Sequence, residues 1–238
     1  PDVPMPMDVR PDAPPPPPDV PPPPLDVPVD LPRPDVPPPL DMPPVPDVPP
    51  PDAGPPTMYV ATLQGTQEVP PVITTATGSA TLLMSGDRTM LSYTVTHTLP
   101  AVTAGHIHIG IAGTSGAVSI AFSPTPGTFM GTATLTTAQA DAIAQGRAYV
   151  NLHTSANPGG ELRGQIVRPG ERVWAARLTG EQEVPAVTTT ATGNAQILLA
   201  EGNNSIRYIV QTTATPTAAH IHTAPGAANG GVTVDFGT

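Results

Sequence analysis

From residue 57 onward, apolar and Thr-rich positions alternate in short runs punctuated by Gly and Pro. A period of two with frequent turn residues is the pattern of half-buried β-strands. It predicts strands over 59–63, 79–83, 90–96, 106–109, 118–122, 129–135, 148–154 and 161–167. One segment breaks the period: 137–145 predicts a short helix, with Thr136 as its cap and Gln139 three residues on. Eight short strands in about 110 residues fit an all-β domain, a Greek-key or immunoglobulin-like sandwich or barrel.

The pattern then repeats. Leu63-Gln64-Gly65-Thr66-Gln67-Glu68-Val69-Pro70-Pro71-Val72 returns as Leu178-Thr179-Gly180-Glu181-Gln182-Glu183-Val184-Pro185-Ala186-Val187, and Ala76-Thr77-Gly78 returns as Ala191-Thr192-Gly193. Tyr93 matches Tyr208, and His106-Ile107-His108 matches His220-Ile221-His222 after a one-residue deletion. Self-similarity at this period means two copies of one domain, placed at 57–169 and 172–238. The second copy reaches Thr238 without a counterpart of 129–165. It is therefore expected to lack its last strands and to expose a core face and an unpaired edge, open to strand complementation or self-association.

Residues 1–56 are of a different kind. They hold 27 of the 37 prolines, ten Asp and two Arg, and recurrent Asp-Val-Pro units. Proline removes backbone donors and fixes φ, so helix and sheet are both blocked. A disordered stalk with polyproline character is expected, reaching about 170 Å if fully extended. A spacer is the simplest reading of it, and a docking ligand of the PxxP kind is the alternative.

Most of the net charge of −10 belongs to the stalk, and no basic run or basic and aromatic patch occurs, so nucleic acid is not expected as a partner. With no cysteine, disulfides, thiolate metal sites and a Cys nucleophile are excluded. No apolar run is long enough for a transmembrane segment, and the start at Pro1 without a leader suggests a mature or trimmed form. No phosphate-binding loop, dinucleotide fingerprint or nucleophile elbow appears. Asn203-Asn204-Ser205 fits a glycosylation sequon.

Three blocks in order, Gln67-Glu68-Val69-Pro70-Pro71-Val72, then Gly105-His106-Ile107-His108, then Tyr149-Val150-Asn151-Leu152-His153-Thr154 with Gly159-Gly160-Glu161-Leu162-Arg163-Gly164-Gln165-Ile166, resemble the CHRD (chordin) domain family. The second copy carries the first two blocks. In chordin such domains sit in a secreted antagonist of bone morphogenetic proteins, and bacterial relatives are exported. The resemblance thus implies an extracellular or cell-envelope module that binds an extracellular protein or surface component. It does not extend to growth-factor binding, because the cysteine-rich modules that accompany the domain in chordin are missing here.

Strand geometry places His106 and His108 on one face, with Ile107 on the other. Two imidazoles at that spacing can chelate, and His153 supplies a third if its strand pairs nearby; such a set suits copper or zinc. The pattern is similar at fold level to Cu/Zn superoxide dismutase, although that enzyme uses more histidines and a bridging Asp, whereas this domain offers only His97, His106, His108 and His153. The alternative is structural, with ring N–H groups satisfying buried carbonyls. His220 and His222 keep the pair in the second copy without a counterpart of His153. Glu68 and Arg163 stand alone as charges in their motifs and are read as a partly buried ion pair between the first and last strands, with a ligand contact at the rim as the alternative. Three readings follow: a non-enzymatic exported binding module; as the alternative, a His-x-His metal module of redox type; and a purely architectural repeat that binds neither metal nor partner.

Overall fold

A computed structural model of the chain describes residues 54–122 and 127–237. The expected stalk lies almost entirely outside the described residues. The first copy consists of β1 (Thr57–Gln64), β2 (Thr77–Met84), β3 (Met90–His97), β4 (Ala104–Ile109), β5 (Ala117–Ala121), β6 (Thr128–Thr134), α1 (Thr137–Ala144), β7 (Ala148–His153) and β8 (Leu162–Gln165). All eight expected strands are present, with ends shifted by up to two residues.

They form one antiparallel sheet in the order β5-β4-β7-β8-β1-β2-β3-β6, curled into a nearly closed barrel. Of the sandwich and barrel architectures that the pattern allowed, this is the barrel. Alternation dictates its inside. Tyr59, Ala61 and Leu63 of β1, Ala80, Leu82 and Met84 of β2, and Leu91, Tyr93 and Val95 of β3 are all buried. Ala148, Val150 and Leu152 of β7 close the far wall, together with Leu162, Ile166, Ile107 and Phe129.

Helix α1 adds Ala140 and Ile143 to the same core. It begins where the sequence places its cap: the Thr136 hydroxyl accepts from Gln139 N at 3.3 Å, and the Gln139 side chain accepts from Thr136 N at 2.8 Å. A reciprocal pair of this kind satisfies two otherwise orphaned donors.

The second copy repeats the first half of this plan. Strands β9 (Arg172–Thr179), β10 (Thr192–Leu199) and β11 (Ile206–Thr212) make a three-stranded sheet, and β12 (His220–Thr223) pairs with β13 (Gly231–Asp235). Its register follows the repeat, with Thr179 opposite Thr192 as Gln64 is opposite Thr77. Trp174, Leu178 and Tyr208 occupy positions equivalent to the buried Tyr59, Leu63 and Tyr93, yet each is at least 40% exposed. No strand among the described residues covers these side chains.

Elsewhere the second copy is anchored firmly. Gln196 is fully buried; its side chain accepts from Ala112 N at 2.7 Å and donates to Gly146 O at 2.9 Å. Arg207 holds Glu171 through both carboxylate oxygens and donates to Ala144 O at 3.1 Å.

Candidate metal centre

Since Ile107, Val150 and Leu162 face the barrel interior, their strand neighbours face outward. Outward here does not mean exposed, because the turn 110–116 and the segment after β1 lie over this part of the sheet. His108, Tyr149, Asn151, Arg163 and Gln165 are each less than 10% exposed. The result is a buried polar layer on β4, β7 and β8.

Strand β7 pairs directly with β4, placing His153 opposite Ala104, Asn151 opposite His106 and Tyr149 opposite His108. The pairing that the sequence left open is therefore made. One ring nitrogen each from His106, His108 and His153 lies within 4.8 Å of the others. The centroids of His106 are 5.5 Å from those of His108 and 4.9 Å from those of His153.

Hydrogen bonds decide what these rings offer. His108 Nδ1 lies 3.0 Å from Gly116 O, and His153 Nδ1 lies 3.0 Å from Pro158 O. A carbonyl only accepts, so in each neutral ring Nδ1 carries the proton and Nε2 is left with the accepting lone pair. His106 Nδ1 then donates to His153 Nε2 at 3.1 Å, while His108 Nε2 is buried with no partner. In a tetrahedral zinc site with bonds of about 2.0–2.1 Å, neighbouring nitrogens sit roughly 3.3 Å apart. The spacing between His106 and His153 is close to that, and a cation taking both of these atoms would require the His106 proton to move from Nδ1 to Nε2.

Backbone carbonyls take up the ring N–H groups, and by doing so they fix the tautomer that leaves a ligand atom free, the outer-shell arrangement usual around metal-bound imidazoles. Electrostatics points the same way. His106 is held below its usual pKa by burial and by the neighbouring His153 and His108. His108 is lowered mainly by burial, against the bond to Gly116 O. Neutral imidazole is the ligating form.

The β4–β5 connection supplies the key carbonyl. The register shifts by a bulge between Ile107 and His108, and Gly116 passes so close to Ile109 that a Cβ there would lie 1.7 Å from the Ile109 oxygen. Only glycine fits. Tyr149 Oη accepts from Gly116 N at 3.0 Å and so holds the same residue.

Tyr149 is the functional neighbour that the sequence reading missed. Its ring stacks on His108 at 5.0 Å and 8°, and Arg163 lies 3.6 Å over the ring centroid. Because β4 and β8 flank β7, the tyrosine is held between the two. The available signal was its alternation with Asn151 and His153 on one strand.

Arg163 and Glu68 are both buried, as expected of a pair, but no N–O contact within 4.0 Å joins them. Arg163 donates instead to Ile111 O at 3.0 Å. The two charges act on each other at longer range: burial pushes Glu68 up to about 7, and the positive charge of Arg163 opposes the rise. Beside them opens a cavity of about 630 Å³ whose lining includes Gln64, Gln67, Gln165 and Glu171 but none of the histidines.

His97 stands apart, half-buried against Phe129 at 5.8 Å. His220 and His222 lie on β12, far along the chain from this centre.

The barrel, its repeat and the three sequence blocks can now be set against known families. The model of the CHRD domain matches residues 59–166 and again 174–238. The chain belongs to the CHRD domain family. Both copies are CHRD domains, and the histidine cluster lies within the first match. No curated protein and no solved structure matches the chain. Among the described residues, no helix is long and apolar enough to cross a membrane.

Proposed function

We propose that this protein is a non-enzymatic binding module of the extracellular type and that the first CHRD domain binds a transition-metal ion, zinc or copper, through His106, His108 and His153. Family membership supports the broader half of this reading, since CHRD domains are typically extracellular. One observation carries the finer half: three imidazoles converge within 4.8 Å while two of them are locked by carbonyls in the tautomer that frees Nε2.

Three histidines leave one coordination position open, for water or for a donor from a surface component. Among divalent ions, imidazole sites favour copper over zinc by intrinsic affinity, so the resident ion follows supply. Two domains on one chain also offer two contacts to an extended surface, and a stalk of the expected kind would present them at a distance.

The test is elemental mass spectrometry on the full chain, purified without a His-tag and then titrated with zinc and with copper against a competing chelator. One tight equivalent, lost in His106→Ala and in His153→Ala with the fold intact by circular dichroism, is expected. Absence of tight binding for either metal would leave a histidine cluster of structural role only.

A further inference from the structure

The outward faces of β2 and β10 occupy equivalent places in the repeat and meet different surroundings. On β2, Thr81 and Leu83 point away from the barrel interior and are exposed. Their counterparts on β10 are Gln196 and Leu198, and both are buried to 1% or less. This is burial against the first copy. Gly146 makes room for Leu198, since a Cβ on Gly146 would lie 2.6 Å from Leu198 Cδ1. The amide of Gln196 uses both of its ends there, accepting from Ala112 N and donating to Gly146 O, as a fully buried amide must.

Ala112 belongs to the turn 110–116, which carries the carbonyl that sets His108. The turn is held along its length: Gln165 donates to Gly110 O at 2.9 Å, Arg163 to Ile111 O at 3.0 Å, and Gly116 N donates to Tyr149 Oη at 3.0 Å. Those three side chains all come from the first copy. Gln196 is the contribution of the second, and Ala175 of β9 lies beside it, 3.4 Å from where a Cβ on Gly113 would be. Inside the turn, Thr114 donates to Ile111 O from both its N–H and its hydroxyl, at 3.2 and 2.9 Å. The backbone from Ile111 to Gly116 is therefore one short hydrogen-bonded loop, and a hold on Ala112 is a hold on Gly116 O.

We propose that the outward face of β10 is a docking surface for this turn of the first domain, and that Gln196 is a positioning residue for the histidine centre: by holding Ala112 it keeps Gly116 O on His108 Nδ1 and so keeps His108 Nε2 free. One CHRD domain carries the three histidines and the other steadies their support. The consequence for zinc rests on the metal-binding reading, whereas the effect on the His108 tautomer is read without metal. Loss of the contact leaves Ala112 N buried without an acceptor, and the turn moves to find one.

The experiment compares Gln196→Met with Arg207→Ala in the full chain. Methionine keeps the side-chain volume and loses both hydrogen bonds; Arg207 also joins the copies, through Ala144 O, but bonds to no residue of the turn. Three quantities are read: amide hydrogen exchange at Ala112, the imidazole nitrogen shifts of the metal-free chain, and zinc affinity against a competing chelator. Gln196→Met is expected to speed exchange at Ala112, to move His108 toward a mixture of tautomers while His153 keeps Nδ1–H, and to weaken zinc binding by about 5-fold, short of the outer-shell range because it acts through one more contact. Arg207→Ala should leave all three as in the parent chain. An unchanged His108 tautomer in Gln196→Met would overturn the proposal, as would equal changes in Arg207→Ala or a shift of His153 as large as that of His108. Fast exchange at Ala112 in the unmodified chain would overturn it without any variant. A chain that takes up no zinc would end the metal reading and leave exchange and tautomer to decide this one.

Discussion

The two CHRD domains share a histidine pair, a bulge and a carbonyl, yet in one pair His106 is half-buried, His108 is buried and a third ring joins them, while the other pair is exposed. The local device is set within the segment His-Ile-His and the following turn, so both copies build it. Completing the cluster requires His153 on β7, 47 residues further along the chain than His106, delivered by the pairing of β7 with β4. Chelating geometry is local, whereas coordination is tertiary.

The burial of equivalent side chains differs between the copies, and a core deletion reads that difference most strongly. Phe129→Ala empties a buried position in the first domain and should cost about 3–5 kcal/mol. Trp174→Ala removes a larger but 47% exposed side chain from the second and should cost far less. Urea unfolding of the two variants measures the difference; equal losses would mean that the second domain's inner face is as well packed as the first.

Next in size is the support of the proposed metal centre. Tyr149→Phe keeps the ring between His108 and Arg163 but removes the acceptor that holds Gly116 N. Because it acts through the carbonyl on His108, it should weaken zinc binding by roughly 10-fold, within the range for outer-shell changes.

Titration offers a finer separation. His106 and His108 are held below the ordinary value in the folded chain, so the unfolded chain binds protons first as pH falls. Their contribution to stability is full above about pH 6.5 and declines below it. Glu68, raised from 4.5 to about 7, works in the opposite sense: the folded chain holds its proton longer, and that contribution is lost as pH rises through 7. Glu68→Gln should therefore make the metal-free protein's loss of stability between pH 7 and 5 steeper, read from urea midpoints. A slope unchanged by the substitution would mean that Glu68 is ionised across the range.

The smallest effect concerns α1. Thr136→Ala removes half of the capping box and should cost about 1 kcal/mol in the first domain alone.

Alternation and capping made the strands, the helix and the outward facing of His106 and His108 legible in the sequence. Each is settled within a few residues. Three features were not legible, for one physical reason. That His153 meets His106 depends on which strand β7 joins; that Gly116 O reaches His108 depends on a bulge; that Arg163 stacks on Tyr149 instead of bridging to Glu68 depends on the diagonal offset between β7 and β8. Register and backbone carbonyl positions leave little trace in residue type.

The central claim is that backbone carbonyls hold His108 and His153 with Nδ1 protonated and Nε2 free for a metal. Imidazole nitrogen NMR on the ¹⁵N-labelled chain tests it most directly. The account predicts Nδ1–H tautomers for both rings without metal, and a shift of both Nε2 signals on adding one equivalent of zinc. Nε2–H tautomers, or ring nitrogens that zinc leaves unmoved, would contradict it.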